Sequence, residues 1–120
     1  MNSKTIWFIP AAMVALGIFL LSTFLSLPIQ VDGVGYLDKI EHCFAYFVLI
    51  VSFLLAFRKA ELLTPKRSIY LLIGASVYGF GLEMVQFIFF DYRYFEWVDA
   101  LANVFGVLVG FVLFKLIYRG

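Results

Sequence analysis

The sequence predicts an all-α, polytopic membrane protein: a compact four-transmembrane-helix bundle forming a single domain over residues 1–120. Three observations carry that reading. Mean hydropathy is +1.01 and 64% of the residues are apolar, where a soluble domain has roughly half. Apolar runs of about 20 residues recur with polar breaks between them, the length a helix needs to cross the hydrocarbon core. The charges are segregated between alternate breaks. The runs do not alternate polar with apolar positions, as the strands of a membrane barrel would.

Each element follows in order. Helix 1 is predicted over about residues 6–27, with Pro10 in its first turn, where the missing N–H costs little. Its length, its ending in Leu27-Pro28 and the lack of a small-x-small cleavage site favour an uncleaved span over a signal peptide. Helix 2 is predicted over about 38–57, with Asp38 as its N-cap after the glycine-bearing 28–37 loop. Helix 3 is predicted over about 68–90 and helix 4 over about 97–118. A basic loop, 58–67, joins helices 2 and 3, and a polar hinge, 91–96, joins helices 3 and 4 into an antiparallel pair. Gly106-x-x-x-Gly110 is a close-packing signal within helix 4; Gly74, Gly79 and Gly81 are expected to act similarly on helix 3.

Charge sets the orientation. Seven of the nine cations (Lys4, Arg58, Lys59, Lys66, Arg67, Lys115 and Arg119) fall on one side of this topology, with Glu61 as their only acid. Lys39 and Arg93 fall on the other, among seven acids. The positive-inside rule then puts both termini in the cytoplasm and the 28–37 and 91–96 segments outside. The few basic residues are accounted for by orientation, and nucleic-acid binding has no support. A single cysteine, Cys43, excludes an intrachain disulfide and any multi-cysteine metal site.

The polar residues of the apolar segments converge on one depth, near the outer interface. Asp38, His42 and Tyr46 share a face of helix 2 at spacings of four. Gly79, Glu83 and Gln86 share a face of helix 3, and Tyr78 adjoins them. Asp99, Asn103, Gly106 and Gly110 run along helix 4. A carboxylate deep in hydrocarbon costs at least about 2.5 kcal/mol, so each needs a partner, water or a function. Arg93, Lys39 and His42 are the candidate cationic partners. Two carboxylates held together can divide into one acid and one base, and His42, the only histidine, can relay a proton near neutral pH.

Asp38-Lys39-x-x-His42-x-x-x-Tyr46, then Tyr78-Gly79-x-x-x-Glu83-x-x-Gln86, then Arg93 with Asp99-x-x-x-Asn103-x-x-Gly106-x-x-x-Gly110, resemble in order the signatures of the VanZ-like family. Tyr94-Phe95-Glu96 departs from the small polar residues more usual after the arginine. The resemblance implies a small helical membrane protein of the cell envelope. The named family member is an accessory antibiotic-resistance protein, linked to the glycopeptide teicoplanin.

The leading functional expectation is recognition, at the outer-leaflet side, of an envelope, lipid-linked or amphiphilic ligand, including a glycopeptide-like molecule. Asp38, Lys39, Tyr46, Tyr78, Gln86, Arg93 and Asn103 are its candidate binding residues. The alternative is a membrane-embedded acid–base enzyme with Glu83 or Asp99 as base and His42 as relay. A structural or regulatory subunit, in which the polar network only specifies the fold, is the third reading. Gly79, Gly106 and Gly110 are assigned to helix packing. No cofactor and no metal are expected; a hard divalent cation on the carboxylates is the lesser alternative.

Overall fold

The computed structural model describes residues 5–23, 35–89 and 97–118, with side chains over 5–21, 40–85, 88 and 98–118. Residues 28–34 of the expected 28–37 loop and the whole 91–96 hinge, including Arg93, lie outside the described residues, as do the side chains of Asp38, Lys39 and Gln86. The described residues are all-helical: a 3₁₀ turn at Thr5–Trp7, then α1 (Phe8–Thr23), α2 (Gly35–Lys59), α3 (Pro65–Phe89) and α4 (Trp97–Ile117). Pro10 stands in the first turn of α1, where no helical partner for its nitrogen is required.

Two helix starts differ from expectation. α2 begins at Gly35, so Asp38 lies inside the first turn and is not the N-cap. Gly35-Tyr36-Leu37 contains no proline to stop the helix extending backwards. α3 begins at Pro65, ahead of the expected Ser68, because Thr64-Pro65 is itself a start signal. The Thr64 hydroxyl accepts the Arg67 N–H at 3.1 Å, and proline at the first helical position sacrifices no bond. Ser68, completely buried near this corner, donates its hydroxyl to the Pro65 carbonyl at 2.8 Å.

The corner between α2 and α3 is correspondingly short. Leu62 N–H bonds back to the Phe57 carbonyl at 2.8 Å and Glu61 N–H to the Arg58 carbonyl at 3.0 Å. Together these form a Schellman closure. Its left-handed position is held by Glu61, at φ 61°, rather than by glycine. The Arg67 guanidinium donates to the Leu62 carbonyl at 2.6 Å and covers a further acceptor.

α2 is the central element and packs most extensively against α4, less so against α1 and α3. The α2–α4 approach depends on Gly106 and Gly110. A Cβ at Gly106 would overlap the Cys43 carbonyl group, and one at Gly110 would stand 3.1 Å from the Phe47 carbonyl oxygen and closer still to Ile50. Between the helices Tyr46, Leu49, Ile50, Leu54, Val107 and Phe114 form the buried core. On α3 the small-residue expectation holds only for Gly79, which abuts Asn103 and Tyr46. Gly74 and Gly81 have no such neighbour: a Cβ at either would meet nothing within 4 Å, because both turn away from the closely packed face.

The opposite faces are apolar and exposed. On α4, Val98, Leu101, Phe105, Leu108, Val112 and Leu116 recur at spacings of three and four, while Ala100, Asn103, Val107 and Phe114 point inward. In water such a stripe would be an exposed apolar patch of a kind monomeric soluble proteins avoid. Three helices are long and apolar enough to cross a membrane: Ile40–Lys59, Pro65–Val85 and Val98–Ile117. The apolar stretch described in α1 and its leading turn, Thr5–Leu21, is shorter.

The basic residues gather at one end of the bundle and lean on aromatic rings. The Arg58 guanidinium lies 4.4 Å from the centre of the Tyr118 ring, and the Lys59 ammonium 5.3 Å from that of Trp7. Lys66 lies over Tyr70 and Lys115 over Phe111 in the same manner. The buried Glu83, Asp99 and Asn103 lie towards the other end, while the buried Ser68 sits at the basic one.

Candidate functional site

The site forms because three helices each turn one polar side chain inward at the same level. His42 lies near the start of α2, Glu83 late in α3 and Asp99 in the first turn of α4, one helical turn before Asn103. Glu83, Asp99 and Asn103 are only 3%, 4% and 1% exposed. Little surface solvation is left to these groups, so their energetics depend on the polar groups around them.

Asn103 organises the imidazole. Its Oδ1 lies 2.9 Å from His42 Nδ1, a good hydrogen bond across 61 residues of chain. An amide oxygen can only accept, so Nδ1 carries the proton. His42 Nε2 then faces Asp99 Oδ2 at 3.9 Å. That separation suits an ion pair when Nε2 is protonated and is too long for a direct hydrogen bond. Ligating atoms of His42, Glu83 and Asp99 all fall within 4.8 Å of one another. An arrangement of this kind can take up a proton, hold a ligand's N–H or O–H, or span a small cation. Close approach alone does not assign a metal to it.

Gly79 makes the arrangement sterically feasible. A Cβ there would lie 3.0 Å from both Asn103 Cβ and Tyr46 Cε1. Glycine therefore lets the amide and the phenol ring sit against the α3 backbone. Tyr46 is buried one turn below His42, and its ring centre is 6.3 Å from that of Tyr78. Tyr78 is turned elsewhere: its hydroxyl donates to the Ala15 carbonyl of α1. It stands as a tie between α3 and α1, a role that residue spacing did not reveal.

Of the candidate residues, His42 meets Asn103 directly, Asp99 and Glu83 bring their carboxylates within 4.8 Å of its imidazole and of each other, and Tyr46 and Gly79 line the base of the group. Gly106 and Gly110 hold α4 on α2 below it. Sequence reasoning missed a second feature, an apolar cleft of about 210 Å³ among α1, α2 and α3, bordered by Ala15, Leu49, Phe53, Gly74, Ala75 and Tyr78. The small residues at 15, 74 and 75 are the signal that could have found it.

Fold and site together define a helical protein with a buried carboxylate–imidazole–carboxamide group at one end and a basic, aromatic collar at the other. Comparison with protein-family models, curated proteins and solved structures gives no match.

Proposed function

We propose that this chain is a four-span, VanZ-like protein of the cell membrane. In this reading both termini are cytoplasmic, and the group around His42 recognises the polar part of an envelope, lipid-linked or amphiphilic ligand from the outer-leaflet side. The observation that carries the reading is the meeting of His42, Glu83, Asp99 and Asn103 from three helices at the end away from the basic collar. Two buried carboxylates are a costly choice for helices that otherwise present hydrocarbon. The motif resemblance supports the same class, and with it a glycopeptide-like ligand.

The test is mass spectrometry of the intact protein after gentle extraction from its own membrane. A bound amphiphile is expected on the native chain and absent from Glu83→Gln and Asp99→Asn proteins that elute as single helical species. Equal ligand retention by all three proteins sinks the reading.

A second reading rests on the imidazole geometry. A histidine oriented through Nδ1 with Nε2 facing a carboxylate has the form of a general base and its support. Steady conversion of the co-extracted amphiphile by the native chain, lost in His42→Gln, would make the protein an enzyme. Binding without turnover leaves it a recognition module.

A further inference from the structure

α3 divides its surface among three faces. Ile69, Ile73, Val77 and Phe80 are exposed. Gly79 and Glu83 turn to the polar group. Arg67, Leu71, Gly74 and Tyr78 follow one another at spacings of four, three and four, which is a third face. Leu71, Gly74 and Tyr78 line the apolar cleft, and Arg67 is an exposed cation at its basic end. Tyr70 carries the cleft to the edge of the exposed face: it belongs to the lining and is 58% exposed. Lys66 stands one turn from it, with its ammonium 5.8 Å from the centre of the Tyr70 ring.

The cleft has a closed end and an open side. Phe8 of α1 meets Phe57 of α2 edge-on, with ring centres 5.4 Å apart, which closes the α1–α2 seam near the basic end. The α1–α3 seam is packed thinly, and the Tyr78 hydroxyl bridges it to the Ala15 carbonyl. A Cβ on Gly74 would meet nothing within 4 Å, so the wall between the basic end and this tie stays low. At 1.5 Å per residue, Tyr78 lies about 16 Å from Arg67 along α3, close to the depth of one leaflet, half of a hydrocarbon core of roughly 30 Å. The distance from cation to tie is therefore that of an acyl chain lying in its own leaflet. The volume, about 210 Å³, is of the order of an apolar cavity that takes one benzene ring. It fits a stretch of one chain and not a pair.

We infer that the cleft seats one acyl chain of an anionic phospholipid from the leaflet at the basic end, with the lipid phosphate on Arg67 and Lys66. This goes beyond the recognition reading above: it rests on the membrane spans and not on the His42 group. Seating of the chain does not choose the lipid, because lipid tails are as apolar as the lining. Charge makes the choice. The 58–67 segment carries Arg58, Lys59, Lys66 and Arg67 against Glu61 alone, and cations placed at the end of a span draw anionic head groups. The Arg67 guanidinium spends one N–H on the Leu62 carbonyl, at 2.6 Å, which fixes the group beside the corner. A guanidinium has five such donors, in a fork that matches phosphate oxygens.

The full-length protein in phosphatidylcholine nanodiscs is photolysed with a minor share of a photoreactive lipid, and the adducts are mapped by peptide mass spectrometry. Two probes carry the same diazirine midway along one acyl chain, one on a phosphatidylglycerol head and one on a phosphatidylcholine head. The phosphatidylglycerol probe is expected to label the peptides carrying Leu49–Phe53 and Gly74–Tyr78 in preference to the exposed Leu101–Leu108 face of α4. The phosphatidylcholine probe should label both alike. Arg67→Gln should lower the preference about fivefold, the equivalent of one cation at a charged membrane surface. Lys66→Gln, which leaves the bond from Arg67 to Leu62 in place, and added salt, which changes no residue, should lower it in the same direction. Gly74→Leu, with Ala75→Leu as a second filling variant, should abolish it while leaving the α4 background unchanged. Even labelling by both probes would mean bulk lipid only and overturn the inference. A cleft preference shared by both heads, and indifferent to salt and to Arg67→Gln, would overturn it too, because the phosphate would then have no part in the choice. Extraction of the chain from vesicles by alkaline carbonate is measured first. Release would remove the membrane reading and the inference together, whereas retention followed by even labelling would remove the inference alone.

Discussion

Asn103 has the clearest single-residue role, because a fully buried amide meets a histidine across the bundle. Asn103→Leu keeps the volume and removes the acceptor. The part-buried imidazole N–H then loses this acceptor, at an expected cost of about 1 kcal/mol. Thermal unfolding in detergent would measure it. Asn103→Asp keeps an acceptor but brings a third carboxylate beside Glu83 and Asp99, and is expected to fall below Asn103→Leu in Tm. If Asn103→Asp proves the more stable of the two, the carboxylates are not crowded as described. Gly106 is the other sensitive position. Gly106→Ala drives a methyl group into the Cys43 carbonyl, where backbone rather than a flexible side chain must yield. An overpacking loss of about 1–3 kcal/mol is expected, while Gly81→Ala, which faces open space, should be neutral or stabilising.

At the scale of elements, the α2–α3 corner and the α1–α3 tie each make a distinct forecast. Glu61 holds a left-handed backbone at φ 61° that costs an L-residue about 1–2 kcal/mol. Glu61→Gly should recover about 0.5–1 kcal/mol after the greater unfolded-chain entropy of glycine is subtracted. Thr64→Ala removes the cap of α3 and should cost about 1 kcal/mol. Equal denaturation midpoints for these two variants would refute the assignment of the corner. Tyr78→Phe deletes the hydroxyl that donates to Ala15. The expected loss is about 0.5–1.5 kcal/mol, accompanied by faster amide exchange in α1 than in α4. α1 is the element to watch, since it packs chiefly on α2 and touches α3 little.

For the whole molecule, the segregation of charge is the property with the largest consequence. Arg58, Lys59, Lys66 and Lys115 each lie over an aromatic ring at one end, the chemistry expected of residues anchored where bilayer meets water. On the proposed orientation that end is cytoplasmic. A Glu61→Cys reporter in a Cys43→Ser background should resist a membrane-impermeant maleimide on intact cells and react once they are permeabilised. Labelling of intact cells would invert the topology and place the His42 group at the inner leaflet.

The helical class, three of the four expected span-length segments and the identity of the polar residues were legible in the sequence, because each follows from composition or from a period of a few residues. The shared depth of His42, Glu83, Asp99 and Asn103 was legible too, since distance from a helix end is a local count. Which side chains would touch was not. The choice of Asn103 for His42, of Ala15 for Tyr78, and of α2 as the main partner of α4 depends on how each helix is rotated and how closely it is approached. Those rotations are settled by steric contacts between distant residues, such as Gly106 on Cys43 and Gly79 on Tyr46. Only packing in three dimensions brings such pairs together, and only packing leaves the cleft beside Gly74 open.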